Sequence, residues 1–109
     1  MNIVKTQYFL KQLLNLKKKF PKIEKDFLYF EENIKIEPFS DLWNGVFKFR
    51  LKNSSIPVWK RTGFRLIILF LNSDNAIPLL IYSKNYKENV SNLEILNAKE
   101  NIIKELELK

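Results

Sequence analysis

A group of basic residues in the middle of the chain could bind and act on an anion. The six are Lys48, Arg50, Lys52, Lys60, Arg61 and Arg65. Apolar and charged residues alternate over positions 43–52, so the first three cations share one face of a predicted strand, with successive charges about 6.6 Å apart. No acidic residue occurs between Asp41 and Asp74. Because so many uncompensated cations repel one another, we interpret them as a binding surface, in preference to a solvated sheet face that resists edge pairing.

Arg65 is the member of this group that a purely structural role explains least. Residues 64–71 form a nearly continuous apolar run, which predicts a strand at the centre of a sheet. An uncompensated guanidinium group is costly in such surroundings because it loses its hydration. We therefore expect Arg65 to have a function in binding or catalysis.

Aromatic residues accompany the cations. Tyr82 and Tyr86 lie close in sequence to Lys84 and Lys87. Flat rings beside cations suit single-stranded RNA, because its unpaired bases can stack on them. The residues that we predict to contact RNA are Lys52, Lys60, Arg61, Tyr82, Tyr86 and Lys87.

The rest of the composition limits the possible chemistry. The chain has no histidine and no cysteine, which excludes disulfides, thiolate metal sites and the commonest general base. The remaining candidates are lysine, arginine, tyrosine, hydroxyl and carboxylate groups, and we expect neither a metal nor a cofactor. The formal net charge of +7 and the pI near 9.6 favour an acidic partner such as nucleic acid.

The residues before the basic region predict two helices. Thr6 can cap the first helix, and Pro21 can end it and begin the second. Each helix repeats apolar residues at the spacing of one helical face: Phe9, Leu13, Leu16 and Phe20, then Ile23, Phe27, Phe30 and Ile34. The pattern indicates a helical hairpin with one apolar side, which needs an apolar partner to cover it.

Three strands are predicted next, over residues 43–52, 64–71 and 77–83, as an antiparallel meander. Ser91 and Glu94 form a capping box that opens a C-terminal helix. Residues 2–5 add a short first strand whose neighbour the sequence leaves open. The predicted fold is α+β with the order (β)ααβββα, a two-layer single domain over residues 1–109, in which the helical hairpin packs on a small antiparallel sheet and a helix ends the chain.

Membrane insertion and export are not expected. The longest apolar run, residues 66–71, is too short to span a bilayer. The first apolar cluster lacks the basic region and the cleavage site of a secretion signal. We expect a soluble protein of the cytoplasm that does not act at a membrane.

Three blocks of the chain resemble successive blocks of the RelE superfamily of toxins, which belong to toxin–antitoxin systems. They are Gly45-Val46-Phe47-Lys48-Phe49-Arg50-Leu51, Lys60-Arg61-Thr62-Gly63-Phe64-Arg65 and Ile81-Tyr82-Ser83-Lys84-Asn85-Tyr86-Lys87-Glu88-Asn89. The match is best to the HigB-type branch, in which a basic strand leads through a glycine-rich turn to a strand ending in a tyrosine and a lysine. The predicted helices before and after these blocks also fit the family, so the resemblance covers nearly the whole chain.

The resemblance implies an endoribonuclease that cleaves messenger RNA in the decoding site of the ribosome and is neutralised by a cognate antitoxin. In such enzymes the ribose 2′-OH attacks its own neighbouring phosphate. By position, Lys48 and Arg50 match the family's basic strand, Arg65 matches the arginine at the reacting phosphate, and Lys84 matches the basic residue of the last block. Crowding by like charges lowers the pKa of a lysine, so Lys48 or Lys84 could act as general base or acid.

Three other interpretations remain open. A toxin of the ParE group shares the fold and inhibits DNA gyrase, but it usually lacks such a basic cluster. A non-catalytic RNA-binding module also has an αβββα order, yet it places lysines at the start of its last helix, where this chain has Ser91-Asn92-Leu93-Glu94. An amphipathic protein of the membrane surface is disfavoured because the core needs the apolar stripes.

Overall fold

Three helices and five strands make up the part of the chain that the computed structural model describes, which is residues 2–34, 41–43, 45–55, 63–72, 74–84, 87 and 89–107. In chain order they are β1 (Asn2–Ile3), α1 (Gln7–Lys17), α2 (Ile23–Asn33), β2 (Asp41–Trp43), β3 (Val46–Leu51), β4 (Phe64–Phe70), β5 (Asn75–Ser83) and α3 (Asn92–Glu107). The predicted α+β class and the order of helices and strands are confirmed.

The helical hairpin forms as its sequence predicts. The Thr6 hydroxyl accepts a hydrogen bond from the Phe9 backbone N–H at 3.2 Å and so caps α1. The rings of Phe9 and Phe27 pack with centroids 5.4 Å apart, which joins α1 to α2 through their apolar faces. A further cap comes from α3, because the Glu105 carboxylate accepts from the backbone N–H groups of Gln7 and Tyr8 at 2.7 and 3.1 Å.

The sheet has the strand order β1-β5-β4-β3-β2. Strands β3, β4 and β5 form the predicted antiparallel meander, and β1 lies parallel to β5, which supplies the neighbour that the sequence left open. The single strand predicted over residues 43–52 is instead divided between β2 and β3. Gly45 makes the turn between them with a φ of 81°, a left-handed conformation that favours glycine.

Two apolar clusters lie on opposite faces of the sheet, because successive strand residues point to opposite sides. The first packs the helical hairpin on the sheet, and its buried members include Phe9, Phe27, Phe49, Leu66 and Ile68. The second packs α3 on the other face through Ile67, Leu79, Ile95, Ala98 and Ile102. The hairpin and the sheet are the two predicted layers, and α3 covers part of the second face.

Gln12 of α1 binds the edge of β5 where the ladder is irregular. The register shifts between Ile67 and Ile68 of β4, so that Leu79 of β5 has no partner in the ladder. The Gln12 side-chain amide donates to the Leu79 carbonyl at 3.0 Å and accepts from the Ile81 N–H at 3.1 Å. A single side chain therefore pairs two backbone groups of this strand.

The C-terminal helix begins at the predicted capping box. The Ser91 hydroxyl accepts from the Glu94 backbone N–H at 3.1 Å, and the Glu94 carboxylate accepts from the Ser91 backbone N–H at 3.4 Å. Ile95, Ala98 and Ile102 are buried against the sheet, as their spacing predicts. None of the helices in the described ranges has the length and apolar character that crossing a bilayer requires.

Candidate functional site

Four cations gather on the sheet face that carries α3. They are Lys48, Arg50, Arg65 and Lys84, and we call them the basic cluster. Arg50 and Arg65 are direct neighbours across β3 and β4, and Lys48 precedes Arg50 by two residues, so strand geometry places all three on one face. Lys84 directly follows β5 and lies near enough to act electrostatically on Lys48. The alternation within β3 predicted that Lys48 and Arg50 share a face, whereas the approach of Arg65 and Lys84 depends on the fold.

Lys48 has an environment that disfavours its charged form. Burial lowers the pKa of Lys48 from its ordinary 10.5, and the positive charges of Arg65, Lys84 and Arg50 lower the same pKa further. Its ammonium group donates to the side-chain oxygen of Asn89 at 3.1 Å, which holds it beside the segment that leads into α3. A lysine with a lowered pKa can exchange a proton with a substrate more readily than an ordinary surface lysine.

Arg65 is the buried member of the basic cluster, with 4% of its surface exposed. It occupies an otherwise apolar stretch of β4, as the sequence predicts. Burial lowers the pKa of Arg65, and the nearby charge of Arg50 adds to this effect. Its one described hydrogen bond, to the Phe64 carbonyl oxygen, is 3.4 Å long and therefore weak.

No carboxylate within the described residues forms an ion pair with the basic cluster. The ion pairs of this part of the chain include those of Lys5 with Glu31, Lys17 with Glu24 and Lys87 with Glu94. Lys48, Arg50, Arg65 and Lys84 thus present positive charge that these acids leave uncompensated. Such a concentration of positive charge on one sheet face attracts anions.

Gly63 sets the close approach of the strand ends that carry the basic cluster. A Cβ atom built on Gly63 would lie 2.4 Å from the carbonyl oxygen of Leu51, so only glycine fits there without movement of the backbone. The Gly63 carbonyl oxygen also accepts from the Lys84 N–H at 3.2 Å. One residue therefore brings together the end of β3, the start of β4 and the end of β5.

The other residues predicted to contact RNA have different settings. Lys52 is exposed just beyond β3, and Lys60, Arg61 and Tyr86 lie outside the described residues. Lys87 is exposed but forms an ion pair with Glu94, which reduces its availability to a ligand.

Tyr82 departs most from its predicted role. Only 7% of its surface is exposed, and its ring packs in the apolar cluster under α3, so in this conformation it presents no face on which a base can stack. Burial raises the pKa of Tyr82, and the positive charge of Arg65 opposes that rise. Its register opposite Arg65 places it on the same sheet face as the basic cluster.

Sequence reasoning did not identify Asn89 as part of the site. An exposed asparagine in a loop carries no periodic or charge signal, and its contact with Lys48 spans 41 positions of the chain. A groove between α2 and β3 was also not predicted, and Tyr29, Phe30, Phe49 and Arg50 contribute to its walls. It touches the basic cluster only through Arg50, so we place the site on the sheet face beside α3.

Within the described ranges, no three acidic side chains come close enough together to hold a metal ion. A search of protein-family models finds no family that matches the chain. A search of curated proteins also finds no match.

Proposed function

We propose that the protein is the toxin of a toxin–antitoxin system, an endoribonuclease of the RelE/HigB type that acts on messenger RNA in the cytoplasm, with the ribosome as its working partner. The observation that carries this proposal is the basic cluster. Arg65 is a buried guanidinium in an apolar strand, and no carboxylate of the described chain compensates it. Proteins retain a buried charge at such a cost chiefly where it binds or reacts.

The reaction that fits these groups is transfer of the RNA phosphate to the neighbouring 2′-oxygen. The 2′-oxygen forms a bond to phosphorus, the bond from phosphorus to the 5′-oxygen breaks, and the products are a 2′,3′-cyclic phosphate and a free 5′-hydroxyl. One group removes the proton of the 2′-hydroxyl, and another donates a proton to the leaving 5′-oxygen. Arginine and lysine neutralise the charge that develops on the phosphate oxygens.

Lys48 is our candidate for a proton-transfer residue. Its lowered pKa increases the neutral fraction that can accept a proton, and its like-charged neighbours are the second cause of that shift after burial. Arg65 and Arg50 then bind the phosphate, and Lys84 adds positive charge at the edge of the site. Lys48 lies within β3, whereas Lys84 directly follows β5.

The test is induction of the chain in bacteria, with mapping of new 5′ ends in a translated reporter transcript. We expect growth arrest with cleavage inside the reading frame, and loss of both on Arg65→Ala. Lys18→Ala provides the control, because Lys18 is an exposed lysine near the end of α1, away from the basic cluster. Equal protein levels of the wild type and the two variants are confirmed by immunoblotting.

Two outcomes would contradict the proposal. Growth arrest without transcript cleavage would favour a gyrase-inhibiting toxin of the ParE type, and relaxation of plasmid supercoiling would then be measured. RNA binding with neither arrest nor cleavage would favour a non-catalytic RNA-binding module.

The proposal also specifies an antitoxin by its chemistry. A partner that covers the basic cluster needs acidic side chains to match Lys48, Arg50 and Lys84, or else a helical segment that takes the place of α3. Coexpression of the neighbouring gene should restore growth if it encodes that partner.

A further inference from the structure

Two buried polar groups, one in the basic cluster and one beside it, lack the hydrogen-bond partners that buried groups usually have. The hydroxyl oxygen of Tyr82 is buried and makes no hydrogen bond to any described residue. The Arg65 guanidinium, which carries five N–H donors, makes one hydrogen bond of 3.4 Å within the described residues. Buried hydroxyl and guanidinium groups are nearly always paired, so these two have capacity for a partner from outside the chain.

The two groups are neighbours in the sheet. Arg65 of β4 and Tyr82 of β5 are directly opposite in the antiparallel register, and their side chains therefore point to the same face. The positive charge of Arg65 opposes the rise in the pKa of Tyr82, which fits their opposite positions in the register. Burial raises the pKa of Tyr82, so the phenol keeps its proton at neutral pH and is a hydrogen-bond donor.

We infer that Arg65 and the Tyr82 hydroxyl form an inner anion site that binds oxygens of one phosphate group, with Tyr82 as a neutral donor beside a charged one. The inner anion site deepens the proposed function. Our choice of an RNA phosphate as its natural ligand rests on that function. The site gives Tyr82 a role that needs no exposed ring. Arg50 lies directly across from Arg65 on the side away from Tyr82, and its exposed guanidinium adds positive charge beside the site.

Among the residues that the structure describes, Glu94 is an acidic residue near the inner anion site, and its charge is already compensated. Glu94 acts on Tyr82 and would disfavour an anion there if it were free. Its carboxylate instead pairs with the Lys87 ammonium group and accepts from the Ser91 backbone, and the bond to Lys87 lowers the pKa of Glu94. The net charge around Tyr82 therefore remains positive.

The experiment titrates the purified full-length chain with inorganic phosphate at constant ionic strength, against chloride. The readouts are the NMR signals of the Arg65 guanidinium Nε–H and the Tyr82 ring carbon that bears the hydroxyl, together with the melting temperature. As the phosphate concentration increases, we expect both signals to shift along the same saturating curve and the melting temperature to rise. Tyr82→Phe should weaken phosphate binding about tenfold, since a hydrogen bond to a charged group is lost.

Tyr29→Phe is the matched control, because Tyr29 is an exposed tyrosine on α2, and it should leave phosphate binding unchanged. In chloride, Tyr82→Phe should melt no lower than the wild type, since it removes a buried hydroxyl that has no described partner. The inference is wrong if phosphate shifts neither signal in the wild type, or if Tyr82→Phe binds phosphate as the wild type does. The wild-type NMR signals decide the question even if the variant is unstable.

A second probe, dimethyl phosphate, distinguishes the two sources of a phosphate group. Binding of both probes fits a site for an internal phosphodiester of RNA, whereas binding of inorganic phosphate alone restricts the site to terminal phosphate groups. Phosphate binding that depends on Tyr82, without transcript cleavage in cells, would preserve this inference and refute the proposed nuclease. If Tyr82→Phe changes neither transcript cleavage nor phosphate affinity, the proposed nuclease would stand and this inference would be refuted.

Discussion

Lys48 differs from most lysines of this chain in the groups that surround it. Burial and then the charges of Arg65, Lys84 and Arg50 lower the pKa of Lys48 in the folded protein. The unfolded chain therefore binds more protons than the folded chain as the pH approaches 10.5, and the stability contribution of Lys48 rises over that range. At neutral pH the charged Lys48 destabilises the fold, which is typical of residues kept for function.

Lys84→Met should raise the pKa of Lys48, because it removes one like charge while keeping a long side chain. The measurement is a pH titration of the Lys48 side-chain NMR signals in the wild type and the variant. If Lys48 is the general base, the ascending limb of the pH–rate profile for cleavage should move to higher pH by the same amount. Lys11→Met on α1 is the control, and a similar shift in that variant would contradict the assigned cause.

At the scale of single elements, β5 depends on a residue from outside the sheet. Its ladder with β4 is irregular at Leu79, and β1 pairs only with its first two residues. Gln12 of α1 satisfies the Leu79 carbonyl and the Ile81 N–H instead. Since β5 carries Tyr82 and leads to Lys84, this helix-to-strand contact also supports the basic cluster.

Gln12→Ala should destabilise the fold by about 1–3 kcal/mol, because it leaves two partly buried backbone groups without their partner. Thermal unfolding is the measurement, and a loss of 1 kcal/mol lowers the melting temperature by roughly 4–8 °C in a domain of this size. Gln7→Ala, at the exposed start of α1, should change stability by less than about 0.5 kcal/mol. Equal melting temperatures for the two variants would show that the Gln12 contacts contribute little.

At the scale of the whole molecule, the net charge of +7 does not by itself locate a binding surface. Lys11 on α1 and Lys18 just after α1 are exposed, whereas Lys48, Arg50 and Arg65 share the sheet face beside α3. Long-range attraction of RNA depends on the total charge, but a bound phosphate responds most to charges within about 8 Å at physiological salt.

Arg50→Gln and Lys18→Gln remove the same charge and should therefore separate local from global electrostatics. We expect Arg50→Gln to weaken binding of a short single-stranded RNA about three- to tenfold and to reduce the salt dependence by about 0.7 in log–log slope. Lys18→Gln should weaken it by less than about twofold, because Lys18 contacts no bound phosphate. Fluorescence anisotropy at several salt concentrations measures the RNA affinity of both variants and its salt dependence. Equal losses of affinity would mean that RNA binds through diffuse charge alone.

The chain's local patterns were sufficient for the helices, the meander and the shared face of Lys48 and Arg50. Apolar spacing of three and four residues predicted α1, α2 and α3, and strict alternation placed Lys48 and Arg50 on one face. The helical period and the two-residue period of strands are both properties of the backbone geometry, so they can be read from the sequence. The division of β2 from β3 at Gly45 was missed, because alternation continues through the turn and a lone glycine is also found inside strands.

Contacts between residues far apart in the chain were decided by the tertiary structure alone. The packing of α3 buries the ring of Tyr82, a residue that was predicted to contact RNA, and the same packing brings Asn89 to Lys48. Residue type shows which groups can donate, accept or carry charge, because those are properties of one side chain. Which of them are left without a partner, as Arg65 and the Tyr82 hydroxyl are among the described residues, depends on what every other element places around them.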